Sequence, residues 1–294
     1  MSHKRATSVL FNKLGKIYIF SSAAISLLIC ILIFTTLLLN TKEVYSRGLF
    51  FTLEWNPSKE LFGIWPMIFG SITVTFIALT LAVPIALFTS IYTAEFLSPR
   101  YRFFVKSLLE LLAGIPSIIY GLIGVAFFSL WIENVFDLES GRTILCAGLI
   151  LAIMILPTII TLSDDAFSHI PQKYREASLG LGLYRYEMIF SCLWPLAKNN
   201  VIGATLLALG RALGETMAVM LVIGSLDKIP TPFYNWLTSG QTITSKLGRE
   251  ISETPFGSLH FQALIFMALI LFLIVLVLIL LSQYFSRHSE RLYE

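Results

Sequence analysis

Charge is scarce in this sequence. Charged residues make up 13% of its 294 residues, whereas a soluble domain carries roughly 25%. Hydrophobic residues make up 56%, and the mean hydropathy is +0.79. The net charge of +3 is too small to indicate nucleic-acid binding. The composition therefore excludes an ordinary soluble domain and places the protein in the membrane class.

Motifs for catalysis, cofactor binding and metal binding are also missing. No GxxxxGK[ST] sequence occurs, so we expect no ATP site on this chain. Asp164, Asp165 and His169 are spaced somewhat like metal ligands, but a charged stretch leaving the membrane explains them better. No metal-ligand or disulfide spacing links the three cysteines, Cys30, Cys146 and Cys192. We expect no metal site, no cofactor and no enzyme activity on this chain.

Long apolar stretches are what the sequence has in abundance. A transmembrane helix needs about 20 apolar residues, and five uncharged stretches reach that length: Ile17–Leu39, Trp65–Ala94, Leu111–Ile132, Thr143–Ser163 and Phe261–Ser286. A sixth, Asn199–Leu226, contains only Arg211 and Glu215 as charged residues. The first stretch exceeds the about 7–15 residues of a signal-peptide core, so we expect an uncleaved anchor. The sequence predicts an all-α, polytopic membrane protein with six transmembrane helices.

Lysine and arginine are unevenly distributed between the predicted loops. Six spans place both termini on one side, which carries thirteen of the 21 Lys and Arg residues, against seven on the other side. The positive-inside rule therefore puts both termini in the cytoplasm. The predicted organisation is a cytoplasmic tail at 1–16, a first transmembrane helix at 17–39, a periplasmic segment at 40–64, a transmembrane domain at 65–286 with a cytoplasmic loop at 164–198, and a cytoplasmic tail at 287–294.

Arg211 and Glu215 are the sharpest feature within the apolar stretches. They are four residues apart, so a continuous helix would put them on one face near the middle of the bilayer. A charge at that depth is costly, by about 2.5 kcal/mol or more. Either the two charges only neutralise each other, or they face a polar pathway. In a pathway, the planar guanidinium of Arg211 would bind an anion with several oxygens, while Glu215 would orient Arg211 and limit its affinity for the anion.

Three predicted spans contain prolines that can kink a helix, namely Pro84, Pro116 and Pro157. These kinks serve packing alone, or they shape a central path. The outer loop Asp227–His260 is long enough to fold over the outer mouth of such a path.

A charged, helix-compatible segment, Lys173–Pro195, separates the fourth and fifth predicted spans. We predict two short helices in it, a first from Lys173 and a second over Tyr184–Trp194, interrupted at Gly180 and Gly182. Pro195 is expected to end the second helix, because proline lacks the N–H that would continue it. A connector needs only a few residues, so this segment is expected to contact another protein.

The same segment resembles the EAA loop of ABC importer permeases. The family pattern is Glu-Ala-Ala, three residues, Gly, nine residues and then Ile-x-Leu-Pro. The residues that match this pattern are Glu176, Ala177, Gly182 and Pro195. The departures are Ser178 at the second Ala position, Cys192 at the Ile position and Trp194 at the Leu position.

Two further segments narrow the resemblance. Glu110–Gly121 and Gly210–Val219 are similar to segments of the phosphate ABC importer permeases. Gly210–Val219, together with Glu54–Pro57 near the second predicted span, is similar to the C-type subunit rather than to its A-type partner. The resemblance covers about Trp55–Ser286.

The resemblance implies a type I ABC importer permease domain at 65–286 in the inner membrane, with 164–198 as its coupling loop. It implies an A-type phosphate permease as heterodimer partner, two ATP-binding subunits that carry ATP and Mg, and an external phosphate-binding protein. The ATPase contact would then include Glu176, Ala177, Gly182 and Pro195. Arg211 and Glu215 would lie on the phosphate path.

Two other functions stay open at this point. A permease for another oxyanion, sulfate or molybdate, would share the EAA loop, and only the resemblance of Gly210–Val219 argues against it. An ATP-independent channel or carrier would need no docking helix, and the sequence shows no internal repeat that would indicate inverted symmetry.

Overall fold

The computed structural model describes residues 2–41, 44 and 52–290, without the side chains of 2–14 and 287–290. Parts of the predicted periplasmic segment and of both tails lie outside this description. The helices are α1 (Ser2–Leu39), α2 (Trp65–Glu95), α3 (Pro99–Ala113), α4 (Ser117–Ile123), α5 (Leu130–Phe136), α6 (Ile144–Ser168), α7 (Gln172–Gly180), α8 (Arg185–Met188), α9 (Trp194–Leu213), α10 (Met217–Val222), α11 (Ile243–Glu250) and α12 (Leu259–Glu290). Two π-helical turns join α4 to α5 (Gly124–Ser129) and α8 to α9 (Ile189–Leu193).

A small antiparallel hairpin precedes α2. Its strands β1 (Trp55–Asn56) and β2 (Leu61–Phe62) flank the 3-10 turn Pro57–Lys59. The hairpin seats Trp55 and Phe62 in a cluster against α12 and α11. It is too short to alter the all-α class of the fold.

Five helical segments among the described residues are long and apolar enough to cross a membrane. They are Gly15–Leu39, Trp65–Glu95, Ser117–Phe136, Ile144–Ser168 and Leu259–Ser286. Four of them lie within a few residues of the predicted spans. The third starts later than predicted, and the predicted span Asn199–Leu226 does not form one helix.

The third predicted span starts too early. The chain from Leu111 to Ala113 still belongs to α3, and the membrane helix begins only at Ser117. Pro116 has the extended conformation and precedes the first helical residue of α4. Proline disfavours a helical conformation in the residue before it, which explains why the chain breaks at this position. Pro116 therefore separates two helices, whereas Pro84 and Pro157 lie inside α2 and α6 as predicted.

The predicted span Asn199–Leu226 is broken in the middle. The helix α9 ends at Leu213, and α10 starts only at Met217. Between them, the Thr216 hydroxyl donates to the carbonyl of Gly214, and the Glu215 carboxylate accepts from the N–H of Ala218. Such local side-chain bonds compete with the helical ladder, and glycine lowers the cost of leaving it.

The helix α6 forms the centre of the bundle. Most of the apolar part of α6 is buried, whereas no residue of Gly15–Leu39 in α1 is buried. The helix α1 contacts the bundle through α12, where the ring centres of Phe34 and Phe272 lie 6.0 Å apart. Gly148 lets α6 approach α2, because a Cβ there would lie 2.6 Å from Ile77 Cγ2. The α9 helix packs on α6 and α12 and carries the Arg211 region to this core.

Candidate functional site

Arg211 lies near the C-terminal end of α9 and is exposed on the surface of the single chain. Its Nη1 donates to Thr158 Oγ1 on α6 at 3.0 Å, and its Nη2 lies 3.5 Å from the carbonyl oxygen of Ala113, the last residue of α3. The guanidinium therefore sits where α6, α9 and the break between α3 and α4 meet. Both of its described partners are neutral, so its charge remains available to an anion.

Glu215 does not pair with Arg211, and the expectation that the two share a helix face is wrong. The chain leaves the helical conformation between them, and no ion pair joins them in the part of the chain that the structure describes. Glu215 Oε1 instead accepts from the N–H of Ala218 at 3.2 Å, in the first turn of α10. A carboxylate is favourable at that position because it faces unpaired N–H groups.

Glu215 also borders a small cavity of about 10 Å³. This volume is close to the space that one water molecule needs. Four residues that carry hydroxyl groups line the cavity together with Glu215, namely Ser71, Thr75, Thr242 and Thr244. The sequence did not predict these neighbours, because they lie far away along the chain on α2 and in the outer loop.

The first short helix predicted in Lys173–Pro195 and the break after it are confirmed, whereas the second is not a separate short helix. The helix α7 covers Gln172–Gly180, and α8 begins at Arg185 after a short turn. Gly182 lies in that turn with φ +82°, a left-handed conformation that favours glycine. Gly180 is still helical, so only one of the two glycines interrupts the segment.

The predicted docking residues lie on an open surface. Glu176, Ala177 and Gly182 are all exposed, and a Cβ added to Gly182 would have no atom within 4 Å. Leu181, in the same turn, is 83% exposed. Leu179, two residues earlier, is 50% exposed, and neighbouring exposed apolar side chains indicate a protein contact surface.

Pro195 does not end a helix, contrary to the prediction. The π-helical turn Ile189–Leu193 comes directly before α9, and the N–H of Trp194 bonds to the carbonyl of Ile189. The wider turn accommodates the missing N–H of Pro195, so the chain continues without interruption from α8 into α9. Pro195 is therefore exposed at the start of the helix that carries Arg211.

Arg175 anchors Lys173–Pro195, which we call the coupling segment after its predicted role, and the sequence did not reveal this contact. Its guanidinium binds Glu95 at the end of α2 with a closest distance of 2.6 Å. It also donates to the carbonyl of Phe167 in the last turn of α6 and to that of Ile170 just beyond this helix. Both charged side chains are largely buried. Because the partners are 80 positions apart, no spacing signal could have linked them.

A second ion cluster lies at the same end of the bundle. Asp164 is 1% exposed and accepts from Thr93 at 2.8 Å, from Arg102 at 2.7 Å and from Lys106 at 2.7 Å. Burial disfavours the charged form of Lys106, but its hydrogen bonds to Asp164 and Asp165 outweigh this, so the pKa of Lys106 is raised. The two carboxylates therefore join α6 to α3. Among the described residues, no group of acidic, His and Cys side chains is arranged to bind a metal ion.

A third cluster lies at the opposite end, within the predicted outer loop. Lys246 on α11 is 3% exposed and pairs with Asp227 and with Glu250, each at 2.5 Å. His260 Nε2 lies 2.9 Å from Glu250, and the Lys246 ammonium lies 4.9 Å from the centre of the Trp55 ring. Burial raises the pKa of Asp227, and Lys246 opposes this shift.

Comparisons with known proteins place the chain among transport permeases. The family model of the binding-protein-dependent transport system inner membrane component matches residues 82–292. The phosphate transport system permease protein PstC of Pasteurella multocida is 37% identical over 219 residues, 68% of this chain and 68% of the relative. PstC of Haemophilus influenzae is 33% identical over 269 residues, 83% and 84% of the two chains. The probable ABC transporter permease protein YqgH of Bacillus subtilis is 32% identical over 237 residues, 80% and 76% of the two chains.

Solved structures show the same fold. A chain of the MetNI methionine ABC transporter in an inward-facing conformation has a TM-score of 0.52 at 14% identity, covering 79% of this chain and 95% of its own. A chain of an amino acid ABC transporter has a TM-score of 0.52 at 17% identity, covering 85% of this chain and 97% of its own. The predicted all-α fold of type I ABC importer permeases is therefore confirmed. With its long apolar helices and a family match over 82–292, this multi-pass membrane chain belongs to the family of binding-protein-dependent transport system inner membrane components.

Proposed function

We propose that this chain is the C-type permease subunit of an ATP-driven importer that moves inorganic phosphate into the cytoplasm. The observation that carries the proposal is the exposed guanidinium of Arg211, which lies beside two helix breaks and whose partners among the described residues are both neutral. Relatives with 33% and 37% identity are named phosphate transport permeases. Phosphate suits this site because the planar fork of arginine matches a tetrahedral oxyanion in two parallel hydrogen bonds.

The pathway runs along the face of the chain that exposes Arg211. This face is open, so a second permease must cover it to exclude lipid and to close the path, and the A-type phosphate permease is the proposed partner. Phosphate binds Arg211 through its oxygens and leaves again, because a single arginine with neutral partners holds the anion only weakly. Glu215 adds a negative charge nearby that limits this affinity, although it does not touch Arg211.

Coupling to ATP takes place at the opposite, cytoplasmic end of α9. Glu176, Ala177 and Gly182 are the proposed contacts with one of two ATP-binding subunits, which hold ATP and Mg. Arg175 passes movement of α7 to the ends of α2 and α6 through Glu95 and two carbonyls. The chain is helical without interruption from α8 through Pro195, so the same movement reaches α9 and Arg211. An external phosphate-binding protein delivers the anion to the other end.

The experiment is uptake of labelled phosphate by vesicles that contain the complete importer with its binding protein. We expect uptake that depends on ATP and persists in an excess of sulfate or molybdate. Arg211→Gln keeps the length of the side chain and removes its charge, so uptake should fall at least tenfold while the complex assembles normally. Arg142→Gln, an exposed arginine of the outer region, is the matched control and should leave uptake unchanged.

Each alternative function gives a different result in the same vesicles. Competition by sulfate or molybdate would identify another oxyanion as the substrate. Uptake that survives ATP depletion would identify a channel or carrier. Normal uptake by Arg211→Gln would remove Arg211 from the pathway.

A further inference from the structure

The outer loop contains a polar segment that is buried inside the bundle. We call residues 241–250, which include α11, the outer plug. Gln241, Thr242, Thr244, Ser245 and Lys246 are each at most 5% exposed. Loops usually run over the surface and keep such side chains in water. A stretch of five buried polar residues therefore requires specific partners within the bundle.

One side of the outer plug rests on α2. The N–H of Ile243 donates to Ser71 Oγ at 3.0 Å. At Gly70 the two backbones nearly touch, since a Cβ there would lie 2.0 Å from the carbonyl oxygen of Gln241. This approach is possible only because residue 70 has no side chain, so α2 is shaped to receive the plug.

The other side of the outer plug lies on the break that contains Glu215. Thr244 Oγ1 donates to the carbonyl oxygen of Glu215 at 2.7 Å. Arg249 Nη2 donates to the carbonyl of Met220 at 2.5 Å, and Gly248 lies against Thr216. The carbonyl of Glu215 lies outside the regular helices α9 and α10 and therefore takes its hydrogen bond from the plug.

Lys246 holds the plug in place. Its ammonium lies between Asp227, which follows α10, and Glu250, at the end of the plug, and it faces the Trp55 ring from the hairpin. The groups that surround this cluster are His260 on α12, which contacts Glu250, and Arg249. A buried ammonium is costly unless its partners stay close, so the plug leaves only if this cluster opens.

We propose that the outer plug is the positioning element for Glu215 and closes the pathway from outside, with Thr244 as the positioning residue and Lys246 as its lock. Thr242 and Thr244 form the plug side of the small cavity at Glu215, whose other walls come from α2, α6, α9 and α10. Withdrawal of the plug therefore opens this cavity toward the outer end. The inference rests on the proposed function only in that Glu215 belongs to the pathway.

The first test measures access to the cavity and needs no phosphate. Thr75, a buried residue of α2 that lines the cavity, is replaced by cysteine in a chain whose native cysteines are changed to alanine. The complex in right-side-out vesicles is treated with a membrane-impermeant thiol reagent. We expect slow labelling with Lys246 present and at least tenfold faster labelling in Lys246→Met. Lys228→Met, an exposed lysine of the same loop, should label as slowly as the parent.

Asp227→Asn provides a milder way to weaken the lock and decides the test if Lys246→Met does not assemble. It should also accelerate labelling from outside. Equal labelling rates in the parent, Asp227→Asn and Lys246→Met would overturn the proposal. So would faster labelling that occurs only from the cytoplasmic face.

The second test separates positioning from packing at Thr244. Thr244→Val keeps the shape and removes the donor, whereas Thr244→Ser keeps the donor. We expect the maximal uptake rate to fall several-fold in the valine variant and to recover in the serine variant, with unchanged binding-protein affinity for phosphate. Equal rates in the two variants would contradict the positioning role. A parent complex that shows gated labelling but no phosphate uptake would instead contradict the proposed substrate.

Discussion

Arg211 and Glu215 show how far a spacing of charges can be interpreted. The sequence drew attention to both, since charged residues are expensive within an apolar stretch. Their mutual contact was inferred from a helix that the chain does not form, because Gly214 and the Thr216 hydroxyl end it. What the sequence could not supply were the tertiary partners, Thr158 for the arginine and Thr244 for the glutamate carbonyl.

Asp164 and the adjacent Asp165 also differ in tertiary contacts that the sequence does not show. The sequence suggested only a charged exit from the membrane for both. In the structure the Asp164 side chain is 1% exposed and receives three polar partners, whereas that of Asp165 is 43% exposed and contacts Lys106. A buried carboxylate with cationic partners contributes to stability through tertiary contacts, which the spacing of charged residues along the sequence cannot reveal.

The substitution Asp164→Asn should destabilise the complex. It removes the charge that Arg102 and Lys106 share, and both cations are about a quarter exposed, so water can replace part of the loss. We expect a cost of about 1–3 kcal/mol, below the ~3–5 kcal/mol of a fully buried broken pair. The melting temperature of the detergent-solubilised complex measures it.

Asp165→Asn is the control for this prediction, because it changes the next residue in the same way. Its exposed pair with Lys106 should contribute at most about 1 kcal/mol, as surface ion pairs do. Equal melting temperatures for the two variants would show that the burial of Asp164 has no energetic consequence.

At the scale of elements, the apolar stretches predicted the long helices and missed the breaks. A count of apolar residues treats Leu111–Ile132 as one span, although Pro116 divides it between α3 and α4. The opposite error occurred at Pro195, where a π-helical turn absorbs the proline and the helix continues. Proline marks a place where the regular ladder must change. Whether the chain breaks or widens there depends on the packing around it.

Gly182 and Gly180 form a matched pair for testing the turn of the coupling segment. Gly182 has φ +82°, whereas Gly180 is helical, and neither would place a Cβ within 4 Å of another atom. Gly182→Ala should therefore cost about 1 kcal/mol through backbone strain alone. Gly180→Ala should be neutral or favourable by about 0.5–1 kcal/mol, because alanine favours a helix.

The functional effect of Gly182→Ala and Gly180→Ala can be measured as coupling to the ATP-binding subunit. We expect Gly182→Ala to reduce co-purification of the ATP-binding subunit and transport-linked ATP turnover, and Gly180→Ala to leave both near the parent level. A bulky residue at 182 should have a larger effect, since it also obstructs the docking surface. If Gly182→Ala and Gly180→Ala couple equally well, the left-handed turn is not needed for docking.

At the scale of the whole molecule, polar clusters mark the two ends of an apolar bundle. Glu95, Arg175 and Asp164 lie at one end with the coupling segment, and Lys246 and the outer plug lie at the other. Composition and Lys/Arg counts predicted that such ends exist and assigned each a side of the membrane. They could not predict that the outer loop re-enters the bundle, since its buried hydroxyls look like ordinary loop residues in the sequence.

The direction of α12 makes the predicted topology testable. Ser282 Oγ donates to the carbonyl of Gly203 in the middle of α9, and Ser286, one turn further along α12, lines the same cavity as His169, which follows α6. The last turns of α12 therefore lie at the end of the bundle that carries the coupling segment. A reporter fused after Glu294, which is outside the described residues, should therefore share the cytoplasm with the ATP-binding subunits. A green fluorescent reporter there should fluoresce, and an alkaline phosphatase should be inactive. The same phosphatase fused after Ser258, before α12 returns, should be active. The reverse pattern would place the coupling segment outside, where no ATP is available, and the proposed drive for transport would fail with it.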